Sequence, residues 1–355
     1  MNVSDFDYEL PESFIAQTPL EPRDSSKLMV LDRQTSKIEH HIFRDVVEYL
    51  DPGDVMVLNN TRVIPARLHA VKTQTGGAVE ILLLRPLEDH QWLALVGGRR
   101  VDAGVELQFP GSIVTARVVE NLDESERVIA FSQSVNDLLL EQGDTPLPPY
   151  IHTHLEDAER YQTIYSREEG SAAAPTAGLH FTGDLLIALR QKGVQLAYCT
   201  LHIGLDTFLP VRADQVENHH IHTERAVLTA ENARIINDAK LAGGRVVAVG
   251  TTSARTLETA GILSAGGDPA RPFEQPEACP WRPVIAVNTD TALFIYPGYR
   301  WRVVDAFITN FHLPRSTLLM MISAFAGRKQ ILKAYEEAKQ QHYRFFSFGD
   351  AMLIR

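Results

Sequence analysis

The stretch Val246–Glu258 reads VVAVGTTSARTLE. Its first four residues are apolar and three are β-branched, so both faces of the segment are covered. A strand of that kind belongs to a sheet with helices on each side. Gly250 marks a turn, and the hydroxyls of Thr251, Thr252 and Ser253 suit a helix start, which predicts a helix from about Ser253. Strand, turn and helix in this order are the unit of an α/β domain. LAYCTLHIG (Leu196–Gly204), LFIYPG (Leu293–Gly298) and VVDAFITNF (Val303–Phe311) read as further strands. Leu185–Lys192 reads as a helix stopped by Gly193. Thr229 caps a helix running to Ala242, and Ser316 caps one running through Ala326. Such alternation predicts mainly parallel strand pairing.

Toward the N-terminus the character changes. VMVLNNTRVIPARL (Val55–Leu68) is a buried-strand pattern broken at Asn59-Asn60. From Val63 to about Glu141 the chain holds VEILLL, WLALVGG, VELQFP, IVTARVVEN and RVIAF, short segments separated by Gly, Pro or charged turns. Strands at this spacing predict a small antiparallel barrel or sandwich. The prolines of PLPPYI (Pro146–Ile151) then stiffen the exit. The expected architecture is an α/β catalytic domain, discontinuous over residues 1–62 and 150–355, with an antiparallel β-barrel inserted at 63–149.

A chain of 355 residues is long enough for about two domains, and 45% apolar with 22% charged residues fits a soluble globular protein. No apolar run approaches the ~20 residues of a membrane span. MNVSDFDYELPESF has no basic n-region, so a secretory signal is not expected. The two cysteines, Cys199 and Cys279, share no metal or redox spacing, which suits a reducing cytoplasm. A net charge of −11 argues against polyanion binding by the molecule as a whole. It leaves room for a local basic face, since screening confines charge effects to about 10 Å. Arg62, Arg67 and Lys72, the pair Arg99 and Arg100, and Arg328, Lys329 and Lys333 cluster in sequence. Each cluster reads as solvated surface or as nucleic-acid contact.

Four segments carry chemistry. At the end of the Val246–Val249 strand, the N–H groups of a helix start and the hydroxyls of Thr251 and Thr252 favour an anion, and Arg255 one turn in can pair with it. Plain capping is the competing reading, and the dinucleotide fingerprint GxGxxG is absent. AAAPTAGLHFT (Ala172–Thr182) lets the backbone pass close to another body and presents His180; a tight core crossing with a buried histidine fits the same residues. HHIHTE (His219–Glu224) places His220, His222 and Glu224 on one face if extended. With no third or fourth ligand specified, metal is disfavoured and a His–Glu proton-transfer pair preferred. TNFHLPRSTLLM (Thr309–Met320) sets Asn310 and His312 at the carboxyl end of an apolar strand, where α/β proteins hold ligands. Upstream, Asp305 needs a partner or becomes a proton-transfer group. The closing run YRFFSFGDAMLI (Tyr343–Ile354) reads as core aromatics, or as rings beside Arg344 that stack on a base.

Taken in order with DFDYELPESFIAQTPLEPRDSSKL (Asp5–Leu28), LNNTRVIPARL, PLPPYI, YQTIYS, LHIGLDTF and LFIYPGY, these segments are similar to the S-adenosylmethionine:tRNA ribosyltransferase-isomerase family of queuosine biosynthesis. The likeness runs nearly the full length and is weakest in the barrel. Leu205-Asp206 stands where the family pattern has Ala-Gly; Arg315 and the long stretch 268–283 are peripheral departures. The resemblance implies an α/β domain with an inserted β-barrel. It also implies that S-adenosylmethionine is consumed as a ribosyl donor, with no recycled cofactor and no metal. The acceptor is the aminomethyl-deazaguanine at the tRNA wobble position, the product epoxyqueuosine, and adenine and methionine leave.

Such a reaction needs a base for the ribose carbon beside the sulfonium, an acid for departing adenine, and a neutral amine. His180, His222 and Glu224 are assigned to these proton transfers. Gly250, Thr251, Thr252 and Arg255 are assigned to the methionine carboxylate, and Asn310 and His312 to the donor or base pocket. Arg62, Arg99, Arg100 and Arg344 are the expected RNA contacts, and a cytoplasmic monomer with no membrane partner is expected. The rivals are another S-adenosylmethionine- or small-molecule-dependent α/β enzyme, such as a methyltransferase or aldolase, and a non-catalytic RNA-binding protein.

Overall fold

The computed structural model describes residues 1–88, 90–122, 125–204, 211, 213–219, 221 and 223–355. The chain forms two units: Met1–Thr61, Pro149–Glu168 and Ala174–Arg355 in one, Arg62–Pro148 and Glu169–Ala173 in the other. The first unit opens with β1 (Lys27–Leu31), β2 (Ile38–Ile42) and β3 (Val55–Asn59). Next come β4 (Thr61–Val63), then β5 (Arg67–Lys72), β6 (Ala78–Pro86), β7 (Gln91–Gly97), β8 (Glu106–Gln108), β9 (Thr115–Asn121), β10 (Glu126–Phe131) and α1 (Asn136–Gln142). β11 (Glu168–Ser171) pairs with β4. The remainder is α2 (Gly183–Lys192), β12 (Gln195–Leu201), β13 (Glu224–Leu228), α3 (Ala230–Leu241), β14 (Val246–Val249), α4 (Gly250–Ser264), β15 (Val287–Thr291), β16 (Ala306–Asn310), α5 (Thr317–Ala326), α6 (Arg328–Gln340) and β17 (Ala351–Ile354).

Among the described residues, nine strands form one sheet in the order β15-β13-β12-β3-β14-β16-β17-β1-β2. The centre, β12-β3-β14-β16, is parallel, and so is β17-β1. The pairs β15-β13, β13-β12, β16-β17 and β1-β2 are antiparallel. The sheet is therefore mixed, with a parallel centre, antiparallel pairs toward both edges and one antiparallel step, β16-β17, between buried apolar strands. Side-chain alternation divides its two faces. Leu28, Val30, Met56, Leu58, Val247, Val249 and Ile308 pack with Leu185 and Leu189 of α2. Met29, Leu31, Val55, Val57, Val246, Ala248 and Phe307 pack with Ile236 of α3, Leu257 of α4, Ile322 of α5 and Ile331 of α6.

The second unit is a closed antiparallel barrel, β10-β7-β6-β5-β8-β9. Leu68, Ala70, Ile81, Ala116, Val118 and Ile129 fill its interior, at alternate positions along the strands. Register shifts at Leu83/Arg85 and Val128/Ile129 mark the irregularities that bend its strands.

Local chemistry places the helix ends. Thr182, Thr229 and Ser316 each accept the N–H three residues on, from Leu185, Asn232 and Leu319. Gly193 stops α2 at φ +95. Two sequence expectations need correction. The helix after β14 begins at Gly250, not Ser253, so the threonine turn is its own first turn. LFIYPG is not a strand: Thr291 ends β15, its hydroxyl accepts the Leu293 N–H, and Leu293 and Ile295 are buried without pairing. Of the two readings of Asp305 the structure takes the first: it precedes β16 and has its partners, Lys240 Nζ at 2.8 Å and the Val246 N–H at 2.9 Å.

Candidate active site

The carboxyl ends of β12, β14 and β16 point the same way, and beyond them lies a cavity, where open α/β sheets bind ligands. Its wall comes from Tyr150, from Ala174–Ala177, from Ile203 after β12, from Gly250–Thr252 at the start of α4, from Thr309–Leu313 after β16, from Ser316 and Leu318 of α5, and from Phe346 and Ser347. No Asp, Glu, Lys or Arg is among these residues. The charge complement is instead supplied by two helix N-termini, since α4 and α5 both open onto the cavity. Each carries free N–H groups and the positive end of a helix dipole, so a carboxylate is the favoured guest there.

The start of α4 is open because of its first residue. Gly250 has φ +85, a region side-chain-bearing residues avoid. A Cβ there would meet Ala177 Cβ at 3.6 Å and Thr252 Oγ1 at 3.7 Å. Thr252 is 7% exposed, yet its Oγ1 has no hydrogen-bond partner among the described residues. A buried hydroxyl left unmade costs about 1–3 kcal/mol, which a ligand accepting from it would recover.

Asn310 and His312 both line the cavity. The Asn310 side chain donates to the Phe346 carbonyl at 3.1 Å and accepts from Thr176 Oγ1 at 2.9 Å, so its orientation is fixed from both sides. His312 Nε2 lies 2.7 Å from Thr309 Oγ1. Its backbone N–H donates to Tyr335 Oη and its carbonyl accepts from Tyr8 Oη. Desolvation holds the His312 ring neutral, its pKa pushed down to about 3. The loop opposite is equally constrained. Tyr150 Oη lies 2.8 Å from Ser347 Oγ, and the Tyr150 and Phe346 rings are 4.8 Å apart. Phe346 sits at φ +69, an unfavourable conformation for a bulky side chain, maintained at the cavity wall.

The other predicted residues are placed differently. His180 is buried but does not line this cavity. Its ring stacks on Phe43 at 4.8 Å, with Nδ1 3.2 Å from the Ala177 carbonyl and Nε2 3.0 Å from that of Gly349. Burial lowers its pKa, against the carbonyl contacts and Asp350. Arg255 is not a cavity residue either. Four positions after Thr251 it emerges where α4 packs on β13 and β15, donating to the carboxylate of Glu224 and to the Thr291 carbonyl at 3.2 Å. Glu224 also accepts the Gly204 N–H at 3.0 Å, so this buried ion pair ties β13 to α4 and to the turn beside Ile203. His220, His222 and Leu205-Asp206 lie outside the described residues.

Arg99 and Arg100 are exposed in the barrel unit, where their carbonyls accept from Lys72 Nζ; Arg62 is half-buried in the same unit. Arg344 is half-buried in the α/β unit, 3.5 Å from Asp350. Among the described residues, no group of three or more His, Cys, Asp or Glu is placed to hold a metal ion.

Tyr150, Thr176, Thr309, Phe346 and Ser347 are wall residues that sequence reasoning passed over. Tyr150 closes a proline-rich stretch that reads as a linker. Phe346-Ser347 lies in an aromatic run that reads as packing, although its interruption by Ser347 and Gly349 is the signal that the run turns.

The queuosine biosynthesis protein family matches residues 3–354. The chain belongs to that family. A solved structure of an S-adenosylmethionine tRNA ribosyltransferase from Thermotoga maritima is 41% identical, the match covering 99% of this chain and 100% of that one with a TM-score of 0.54. For a queuosine biosynthesis protein, the cavity at the ends of β12, β14 and β16 is the place to look for chemistry. It joins Ala177, Thr252 and His312, which are far apart in sequence.

Proposed function

We propose that this protein transfers and isomerises the ribosyl part of S-adenosylmethionine onto the aminomethyl-deazaguanine base at the tRNA wobble position, giving epoxyqueuosine-tRNA, adenine and methionine. Membership of the queuosine biosynthesis family and the Thermotoga maritima relative support it. The structural observation that carries it is a cavity faced by two helix N-termini, with no Asp, Glu, Lys or Arg among its described lining residues. A cationic sulfonium nucleoside fits a wall of hydroxyls and aromatic rings, while its amino-acid carboxylate takes the N–H groups at Gly250–Thr252 and the Thr252 hydroxyl.

Within that frame His312 is the titratable imidazole on the wall. With Nε2–H donating to Thr309 Oγ1, Nδ1 presents a lone pair, and the ring that burial holds neutral serves as a hydrogen-bond acceptor for the donor or the base rather than as the proton-abstracting group. Asn310, held by Phe346 and Thr176, orients the donor or the base. The ion pair of Glu224 with Arg255 fixes the neighbouring turn. His222 keeps its assignment to proton transfer with the loop it belongs to. No helix among the described residues is long and apolar enough to cross a membrane, and a tRNA substrate favours the cytoplasm.

The test is product analysis with S-adenosylmethionine and tRNA carrying the aminomethyl precursor. Adenine and methionine in equal amounts are expected. S-adenosylhomocysteine, the product of methyl transfer, or an unconsumed donor would overturn the reading.

A further inference from the structure

Asn310 ends β16 and lines the cavity at 3% exposure, the one carboxamide among the described wall residues. Its neighbours settle which way the amide faces. The Phe346 carbonyl can only accept, so Nδ2 lies against it at 3.1 Å, and Thr176 Oγ1 donates to Oδ1 at 2.9 Å. The Phe346 carbonyl is itself pinned by the Gly349 N–H at 2.9 Å. A carboxamide carries two N–H donors and two acceptor lone pairs, all in one plane. These contacts use one of each. One N–H and one lone pair remain, with no partner among the described residues. Buried donors and acceptors are seldom left unmade, and the cavity that Asn310 borders is the place for their partner.

A donor and an acceptor side by side on a flat group match a heterocycle that offers the same pair reversed. Adenine does so with its N6 amino group beside the N7 lone pair, the edge that Asn reads in nucleic acids. A deazaguanine has carbon in place of N7 and a carbonyl in place of the amino group, so that edge does not match. Its N1–H and carbonyl oxygen are the other source of a matching pair. We propose that Asn310 selects the adenine of the donor, its second N–H donating to N7 and its second lone pair accepting from the N6 amino group. The inference rests on the proposed function, which brings S-adenosylmethionine to this cavity, and names the part of it that Asn310 holds. The donor is then gripped at both ends, by its carboxylate at the start of α4 and by its adenine at the end of β16. Because Phe346 and Thr176 fix the amide, the preference is in place before the ligand arrives.

The probe is the 7-deaza analogue of S-adenosylmethionine, with C–H in place of N7, titrated against S-adenosylmethionine in adenine release with precursor tRNA. In the unchanged protein its inhibition constant is expected to exceed the KM for S-adenosylmethionine about tenfold, because a site built to hydrogen-bond an atom rejects the analogue lacking it. In Asn310→Ala the KM for S-adenosylmethionine is expected to rise about tenfold with the KM for tRNA within twofold, and the analogue should then compete within about twofold of the donor itself. A merely structural Asn310 would leave the discrimination intact. Three results overturn the proposal: an analogue that competes as well as S-adenosylmethionine in the unchanged protein, a discrimination that survives in Asn310→Ala, or a KM raised for tRNA alone, which would assign Asn310 to the deazaguanine. The first needs no variant and carries the test if Asn310→Ala folds poorly. Absence of adenine release from the unchanged protein would instead overturn the proposed function.

Discussion

At the scale of single residues, the cavity is organised by groups whose hydrogen bonds either hold them in place or are conspicuously unfinished. Asn310 and His312 belong to the first kind and Thr252 to the second. Thr252→Val keeps the shape and removes the hydroxyl. It is predicted to leave the melting temperature unchanged or slightly higher and to raise the KM for S-adenosylmethionine about tenfold, read by adenine-release kinetics. The buried imidazoles predict a pH dependence of folding. His312, His180 and His202 all have pKa values lowered by burial, His312 to about 3. The unfolded chain takes up their protons from about pH 6.5 downward while the folded chain refuses them. Stability is therefore level above pH 7 and falls with pH below about 6.5, by up to about 1.4 kcal/mol per pH unit for a fully buried ring. Urea midpoints at pH 7.5 and 5.5 measure this. His312→Asn should show a shallower loss, and an unaltered slope would contradict the assignment.

At the scale of elements, the segments best read from sequence were those with local signals. The caps Thr229 and Ser316 and the αL stop at Gly193 act through the nearest turn, so they are written in a few consecutive residues. β1, β17 and the antiparallel extension β13-β15 depend on partners hundreds or tens of residues away, and no local spacing records them. The same holds for Arg255. As a residue one turn into a helix it reads as an anion clamp, and only the arrival of Glu224 on β13 shows its charge already used. The AAAPTAGLH segment illustrates an intermediate case, since its small residues signalled close approach without naming the neighbour. That neighbour is Tyr165: a Cβ on Gly178 would lie 2.0 Å from its Oη. Gly178→Ala is predicted to destabilise by roughly 1–3 kcal/mol through overpacking, measured by chemical denaturation. Adding Tyr165→Phe removes the clashing oxygen and should restore part of the loss, whereas additive effects would contradict a direct clash.

At the scale of the whole molecule, a chain of net charge −11 acts on a polyanion in the proposed function, so recognition has to be local. The order of motifs from Asp5 to Ile354 made the family legible, because strand-end loops are where the chemistry-bearing residues fall. What the order could not reveal was the wall opposite them, Tyr150 with Phe346 and Ser347, whose side chains read as linker and core until the sheet brought them to the cavity. The central claim is that this cavity takes a ribosyl group, rather than a methyl group, from S-adenosylmethionine. Its most direct test supplies donor carrying carbon-13 throughout the ribose, with precursor tRNA, and analyses the wobble nucleoside by mass. The account predicts that all five labelled carbons appear in the tRNA as adenine is released. Label remaining in a soluble nucleoside, with the tRNA unlabelled, would contradict it.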